Sequence, residues 1–332
     1  MPHLVDVTLF FAPTSGGVRR YLLAKHGGLA RSGRLRHTIL APDLIEVGDP
    51  YQLAWQSLRV ARELHRPAVA FCHSDVESLA HAALGAWSAR QVRRYLARLY
   101  GHFDLVLAPS AHLAQRLRDA GIQPVEIQRL GVDVDVFRPN VADPGVRAAL
   151  GIPADARLLV FAGRLSPEKR IPVLRAAMRR LGPGYHLLLV GSGRRAHPAS
   201  NITLVNYQQD PQQLARLLAS ADAFVHAGDQ ETFGLVALEA LACGVPVIAS
   251  HAGALPELVD ATVGATFRPG DARALATTVG GLFERDAGPL RIAARRRAEA
   301  HSWQAVCGDL LVRYERLLGI RARAAWGLRR AG

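Results

Sequence analysis

The sequence predicts an α/β protein made of two Rossmann-like, doubly wound parallel-sheet domains. Three observations carry this. At 332 residues the chain holds two domains of ordinary size, and its 49% apolar content supplies a core for each. It opens with strand, glycine loop and helix: Val5 to Phe11, the turn around Gly16-Gly17, then VRRYLLAKHGGLARSG from Val18. Far downstream, Phe224 to Val259 reads as strand, polar loop, helix, stop, strand, Gly-rich loop and helix.

In order, His37–Ala41 is a second strand, and Asp43–Val47 a third, with only Pro42 between them. Parallel neighbours need a crossover of a dozen residues or more, so these two cannot be adjacent in the usual way. Gly48-Asp49-Pro50-Tyr51 leads into a helix ending near Leu64. Ala68–Cys72 is a strand, with His73-Ser74-Asp75 at its carboxyl end, the edge where open α/β sheets bind ligands. Ser74 and Asp75 serve equally well as caps for the following helix. In ARQVRRYLARLYGHF, Arg90, Arg94 and Arg98 recur every fourth residue and share one face, either solvated or docked on anionic lipid or an acidic acceptor. Asp104–Ala108 and Val125–Arg129 complete this set of strands, and an irregular linker follows from Gly131 to Pro139.

The second domain opens on the strand at Arg157. Gly163-Arg164-Leu165-Ser166-Pro167-Glu168-Lys169-Arg170 follows, with Ser166 a candidate cap and Pro167 suited to a first helical position. Arg164 and Lys169 flank this junction, so both can reach an anion there. His186–Val190 and Asn201–Val205 are strands, ending at Gly191-Ser192-Gly193 and Asn206-Tyr207. In the 224–259 unit, Thr232, Phe233, Gly234 and Leu235 present backbone N–H groups at a helix N-terminus, a setting that suits phosphate. Glu239 is the one polar residue from Leu235 to Ala242, and a carboxylate is costly to bury there without a partner. Strands and helices continue to a last helix starting at Ser302-Trp303 and a basic tail, IRARAAWGLRR.

Composition limits function. The 41 basic and 28 acidic residues give +13, an attraction to anions. Aromatics are only 6% and are not interleaved with basic residues, which argues against nucleic acid as a partner. Three widely spaced cysteines suggest neither a disulfide nor a metal pattern, and point to a reducing cytoplasm. No leader peptide and no membrane-spanning run is read in the chain.

The spaced acids Glu231 and Glu239 in ETFGLVALEALACGVPVIAS, together with GRLSPEK, resemble the donor-site motifs of retaining glycosyltransferases with the GT-B fold, in particular glycosyltransferase family 4. SGGVRRYLLAKH, EVGDPY and CHSD are most similar to its mannosyltransferase branch. The resemblance implies domains at 1–138 and 139–312, facing a central cleft, with 313–332 crossing back toward the first. Members usually carry an additional strand and helix near Pro42, so the N-terminal domain is expected to be shortened. Arg170 stands where a glycine is common.

The resemblance implies catalytic roles for His73, Arg164, Lys169 and Glu231. His73 would face the donor sugar, Arg164 and Lys169 would clamp the diphosphate, and Glu231 would hold sugar hydroxyls or contact the phosphates. It implies donor binding by Gly16, Gly17, Gly191, Tyr207, Phe233, Gly234, Leu235 and Glu239, the last on the ribose hydroxyls. Arg20, Asp49, Tyr51 and Asp75 are candidate acceptor contacts. No Asp-x-Asp of the metal-holding kind is read in the chain, so no metal or cofactor is expected. The implied reaction moves a hexose from GDP-mannose, or from a UDP- or ADP-hexose, to a lipid or glycan acceptor. The site would be cytoplasmic, with peripheral association to an anionic membrane at its inner face. Two alternatives are a non-catalytic nucleotide-binding partner protein, favoured by the short N-terminal domain, and a nucleotide-sugar 2-epimerase, disfavoured by the lack of further acids.

Overall fold

The structure, a computed structural model, describes residues 3–7, 23, 25, 26, 36–40, 42–192 and 199–319. Gly16, Gly17, Arg20 and the tail from 320 lie outside the described residues.

The larger sheet has six parallel strands in the order β12-β11-β10-β7-β8-β9. They are β7 (Arg157–Ala162), β8 (Tyr185–Gly191), β9 (Ile202–Asn206), β10 (Ala223–His226), β11 (Val247–Ser250) and β12 (Gly264–Phe267). Winding runs from β7 outward through β8 and β9, then restarts beside β7 at β10. The topological switch therefore falls between β7 and β10, and the crevice at their carboxyl ends is where such sheets bind ligands. These strands are near-continuous apolar runs because helices cover both faces. Leu158, Val160 and Ala162 of β7 pack on one core with α7 (Pro211–Ala219), α8 (Leu235–Ala242) and α11 (Ala287–Glu299). Leu159 and Phe161 point to the opposite core with α6 (Ile171–Leu181) and α10 (Ala272–Phe283).

A four-stranded parallel sheet, β3-β4-β5-β6, forms the other lobe. Its strands are β3 (Ile45–Val47), β4 (Ala68–Phe71), β5 (Leu105–Ala108) and β6 (Val125–Ile127). One face packs on α1 (Gln52–Leu64), α3 (Ala86–Tyr100) and α4 (Ala111–Asp119) through Leu58, Leu96, Leu99 and Leu113; α2 (Val76–Leu84) links β4 to α3. The other face, Val69, Phe71, Leu105 and Leu107, is covered by Leu310, Tyr314 and Leu317 of α12 (Trp303–Leu317). Gln128 Nε2 donates to the Val306 carbonyl at 3.1 Å, and Arg313 to that of Ile127 at 2.8 Å, so the last helix is hydrogen-bonded onto the first lobe.

The strands on either side of Pro42 obey the crossover constraint by a route the sequence did not reveal. β1 (His3–Val7) and β2 (Arg36–Leu40) pair in parallel as a separate two-stranded sheet, and β3 begins the four-stranded one.

One local expectation fails. Pro167–Lys169 is a single 3-10 turn, not the start of a helix, and α6 begins only at Ile171. The Ser166 hydroxyl bonds the Glu168 carboxylate instead of capping. Between turn and helix, Arg170 sits at φ +52°, a left-handed conformation that glycine adopts without steric cost. That accounts for the glycine common at this position in the family it resembles. The residue here must support the conformation by other means, and its guanidinium pairs with Asp229 at 2.8 Å.

Candidate active site

The loops that leave β7 and β10 meet at the switch point. Gly228 brings them together: a Cβ there would lie 2.9 Å from the Glu168 carbonyl, and Asp229 N donates to that carbonyl at 3.3 Å. This packs Glu231 against Lys169, and the two form an ion pair through Lys169 Nζ and Glu231 Oε1. His226, the buried last residue of β10, also reaches Glu231 Oε1, from Nε2 at 2.9 Å. Its Nδ1 accepts from the Gly228 N–H at 3.1 Å, so the proton belongs on Nε2 and is donated to Glu231. Burial alone would raise the Glu231 carboxyl, but the hydrogen bonds from His226 and Lys169 and the charge of Lys169 outweigh it and hold the group near 2. Glu231 is therefore a fixed carboxylate whose Oε1 is engaged twice. Its Oε2 has no hydrogen bond among the described residues and can accept from a ligand.

Gly234, at φ +95°, turns the chain into α8, and its missing Cβ clears Leu255, whose Cδ2 would otherwise be 2.9 Å away. The first-turn N–H groups of α8 have no intrahelical acceptor and face the cleft. Phe233 is 4% exposed and packs in the core, so only its backbone is available to a donor. Arg164 is exposed and lines the same cleft, of about 440 Å³, as do Lys169, Glu231, Thr232 and His73 from the other lobe. The His73 ring stacks on Phe71 with centroids 4.2 Å apart, and its carbonyl accepts from Thr232 Oγ1 at 3.0 Å. The structure thus brings His73, Arg164, Lys169 and Glu231 to one cavity between the lobes.

Glu239, one helical turn below Leu235, is raised to about 7 by burial among apolar neighbours. Its Oε2 is buried without a hydrogen-bond partner. A carboxyl buried without a partner is costly to ionise, and Glu239 does not itself line the cleft.

Other expected residues are placed differently. Asp75 caps α2 by accepting from Ser78 N at 3.0 Å, and pairs with Arg116 at 3.1 Å. Both its oxygens are thus used in structure, although it lines a smaller cavity of about 110 Å³ beside Lys169 and Glu231. Asp49 and Tyr51 are exposed, and neither lines the cleft. Tyr207 is 62% exposed at the end of β9. Gly191 is required by the fold itself, since a Cβ would lie 1.8 Å from the Gly163 carbonyl.

One literal Asp-x-Asp, Asp133-Val134-Asp135, escaped the sequence reading. It lies in the linker, and its first carboxylate accepts from the N–H groups of Asp135 and Val136 at 3.0 Å each. His226 was missed as a site residue as well, and Thr232 was read only for its backbone N–H, not for its hydroxyl bond to His73. The signal for His226 is an imidazole closing an otherwise apolar strand at its ligand-binding end. No helix among the described residues is long and apolar enough to cross a membrane.

This arrangement of two parallel-sheet lobes is that of the GT-B glycosyltransferases. The structure of Anabaena HepE in complex with UDP and glucose superposes with a TM-score of 0.71 at 19% identity, covering 94% of this chain and 98% of that one. Sucrose-phosphate synthase of Thermosynechococcus elongatus gives 0.70 at 22% identity, covering 97% and 100%. The family model Glycosyl transferases group 1 matches residues 144–300, and that of Glycosyltransferase Family 4 matches residues 5–136.

Among curated proteins, a GDP-mannose-dependent alpha-mannosyltransferase of Mycobacterium tuberculosis is 32% identical over 86% of this chain and 75% of its own length. A GDP-mannose-dependent alpha-(1-6)-phosphatidylinositol dimannoside mannosyltransferase of the same species is 33% identical over 90% and 82%. The chain belongs to this family of glycosyltransferases, group 1 and family 4, and is a hexosyltransferase that uses a nucleotide sugar.

Proposed function

We propose that the protein is a retaining mannosyltransferase that takes its sugar from GDP-mannose and passes it to a lipid or glycan acceptor. The observation that carries the reaction is the cleft at the switch point, where Arg164, Lys169 and a helix N-terminus converge beside an ionised Glu231. A departing diphosphate gains negative charge, and these fixed positive groups meet it without reorganisation. Glu231 Oε2 holds hydroxyls of the transferred sugar. The Glu239 carboxylate accepts from both ribose hydroxyls. His73, from the opposite lobe, faces the sugar, and the acceptor attacks on the face the phosphate leaves, with that phosphate taking its proton. The charge of the leaving group is handled by side chains and peptide dipoles, with no metal ion required.

The choice of mannose and guanosine rests on the relatives, two of which are named as GDP-mannose-dependent enzymes. A thermal-shift screen against GDP-, UDP- and ADP-sugars tests the donor, and NMR of the product's anomeric proton tests retention. Stabilisation by UDP- or ADP-hexose alone would refute the donor, and an inverted product would refute the mechanism.

A lipid acceptor is supported by the α2–α3 corner. Leu84 and Trp87 are 79% and 72% exposed there, next to the exposed Arg90, Arg94 and Arg98. Apolar residues beside clustered arginines suit adsorption to an anionic bilayer. Sedimentation with phosphatidylglycerol vesicles, but not with phosphatidylcholine vesicles, is the expected result.

A further inference from the structure

Glu257 lies outside the cleft, yet its carboxylate spans the two lobes. It belongs to α9 (Leu255–Leu258), on the six-stranded side. Its Oε2 accepts from Ala111 N at 2.9 Å and its Oε1 from His112 N at 2.8 Å. These are the first two N–H groups of α4, in the other lobe. The next, Leu113 N, is capped by Ser110 Oγ at 3.2 Å. The positive end of a first-lobe helix is therefore chelated by a carboxylate from the second lobe, a charge-assisted pair of bonds.

Both ends of this contact lead back to the reacting centre. On one side, Gly253 packs on Glu231, where a Cβ would meet the Glu231 carbonyl at 2.6 Å, and Ala254 N donates to that carbonyl at 2.9 Å. On the other, Arg116 of α4 binds Asp75 at 3.1 Å, two residues beyond His73. Thr232 Oγ1 closes the circuit on the His73 carbonyl at 3.0 Å. We propose that Glu257 is a positioning residue: by chelating the α4 N-terminus it sets the distance between the His73 lobe and the donor lobe. This rests on the reading of the cleft as the sugar-transfer site. A misplacement of about 1 Å at a reacting centre can cost on the order of 10²-fold in rate, so a tie of this kind has leverage on turnover. It has little on nucleotide affinity, because Arg164, Lys169, Glu231 and Glu239 all belong to the donor lobe.

The test uses Glu257→Gln, which keeps size but replaces one acceptor oxygen with an NH₂ that faces an N–H donor. Thr232→Val, which cuts the other tie, serves as a second variant should the first fold poorly. Spin labels at Arg62 and Arg273, both exposed and on opposite lobes, in a Cys307→Ser background, report the interlobe distance. The expected result for Glu257→Gln is a broadened or lengthened distance distribution, kcat lowered about 10-fold or more, and affinity for GDP within 2-fold of wild type. An unchanged distance distribution overturns the proposal, whatever the rate. So does a loss of GDP affinity matching the loss in kcat, which would place the effect inside the donor lobe. If the wild type transfers no sugar from any donor in the screen, the reading of the cleft fails, while the distance measurement still decides whether Glu257 ties the lobes.

Discussion

Glu239 should make the unliganded protein less stable than it would be with a neutral residue at that position, and the deficit should depend on pH. Burial raises its carboxyl from the ordinary 4.5 to about 7, with no compensating hydrogen bond on the buried Oε2. In the unfolded chain the group ionises near 4.5. Between these values the folded state holds a proton that the unfolded state has released, so stability falls as pH rises through this window. The full difference is about 3 kcal/mol, from roughly 1.4 kcal/mol for each pH unit between the two values. It is absent below pH 4 and complete above pH 8. Glu239→Gln removes the titration and keeps the shape. Urea unfolding of both proteins without nucleotide, at pH 5 and pH 8, is the assay. The variant should exceed wild type by less than about 1 kcal/mol at pH 5 and by about 2–3 kcal/mol at pH 8. Nucleotide binding should show the converse. A ribose diol needs the carboxylate, so wild-type affinity for GDP should rise about 10-fold from pH 6 to pH 8 as the free enzyme becomes ionised. Glu239→Gln should bind weakly at both. Equal stability at pH 8, together with a pH-independent wild-type affinity, would refute the assignment of Glu239 as a strained, unpartnered ribose ligand.

Other expectations follow from the same geometry. Lys169→Ala removes both the counter-ion of Glu231 and a charge facing the diphosphate, and should slow turnover about 10²-fold or more in steady-state assays; near-wild-type rates would exclude that role. His226→Ala deletes the Nε2 donor to Glu231, so the carboxyl should move up from about 2 toward the usual range, measurable by carbon-13 NMR of the side-chain carboxyl. A titration that stays put would mean Lys169 alone holds the charge. Arg170→Gly relieves a left-handed backbone worth about 1 kcal/mol and loses a surface pair worth less than that, so thermal stability should be unchanged or slightly raised; a loss above 2 kcal/mol would show that the Asp229 pair matters more than surface pairs do.

The donor lobe was legible in the sequence because its chemistry is local. Arg164, Lys169, Glu231 and Glu239 sit in strand-end loops and one helix start, and each junction carries its own glycine or proline marker. The 167–170 turn was misread for the same reason that it matters. Ser-Pro-Glu-Lys has the pattern of a helix start, but Arg170 in a left-handed conformation and Pro172 early in the following helix fix the true start later. The first lobe was harder. Its strands were visible, but nothing local says that β2 and β3 belong to different sheets, because sheet membership depends on pairing between distant segments. Asp75 shows the limit at the site itself. A carboxylate two residues from His73 reads as functional, and only the tertiary position of Arg116 shows both of its oxygens engaged.

Glu257 and His226 were missed for a common physical reason, and it bears on how the site is built. Neither was read for the group it holds: one is the glutamate of the helix start that follows the spaced acids and belongs to the same family pattern, the other an imidazole at the end of a buried strand. Each acts by fixing a partner. His226, in a single tautomer, orients Glu231, and Glu257 orients an entire helix of the opposite lobe. A cleft between two independently folded sheets needs such residues more than a site within one sheet does, because its two halves have no shared hydrogen-bond ladder to set their spacing. Among the described residues, side-chain bonds across the gap and the packing of α12 on the first lobe together position His73 against Glu231. Three of those bonds are the two from Glu257 and the one from Thr232, so the reacting geometry depends on a few interactions that substrate binding could strengthen or break.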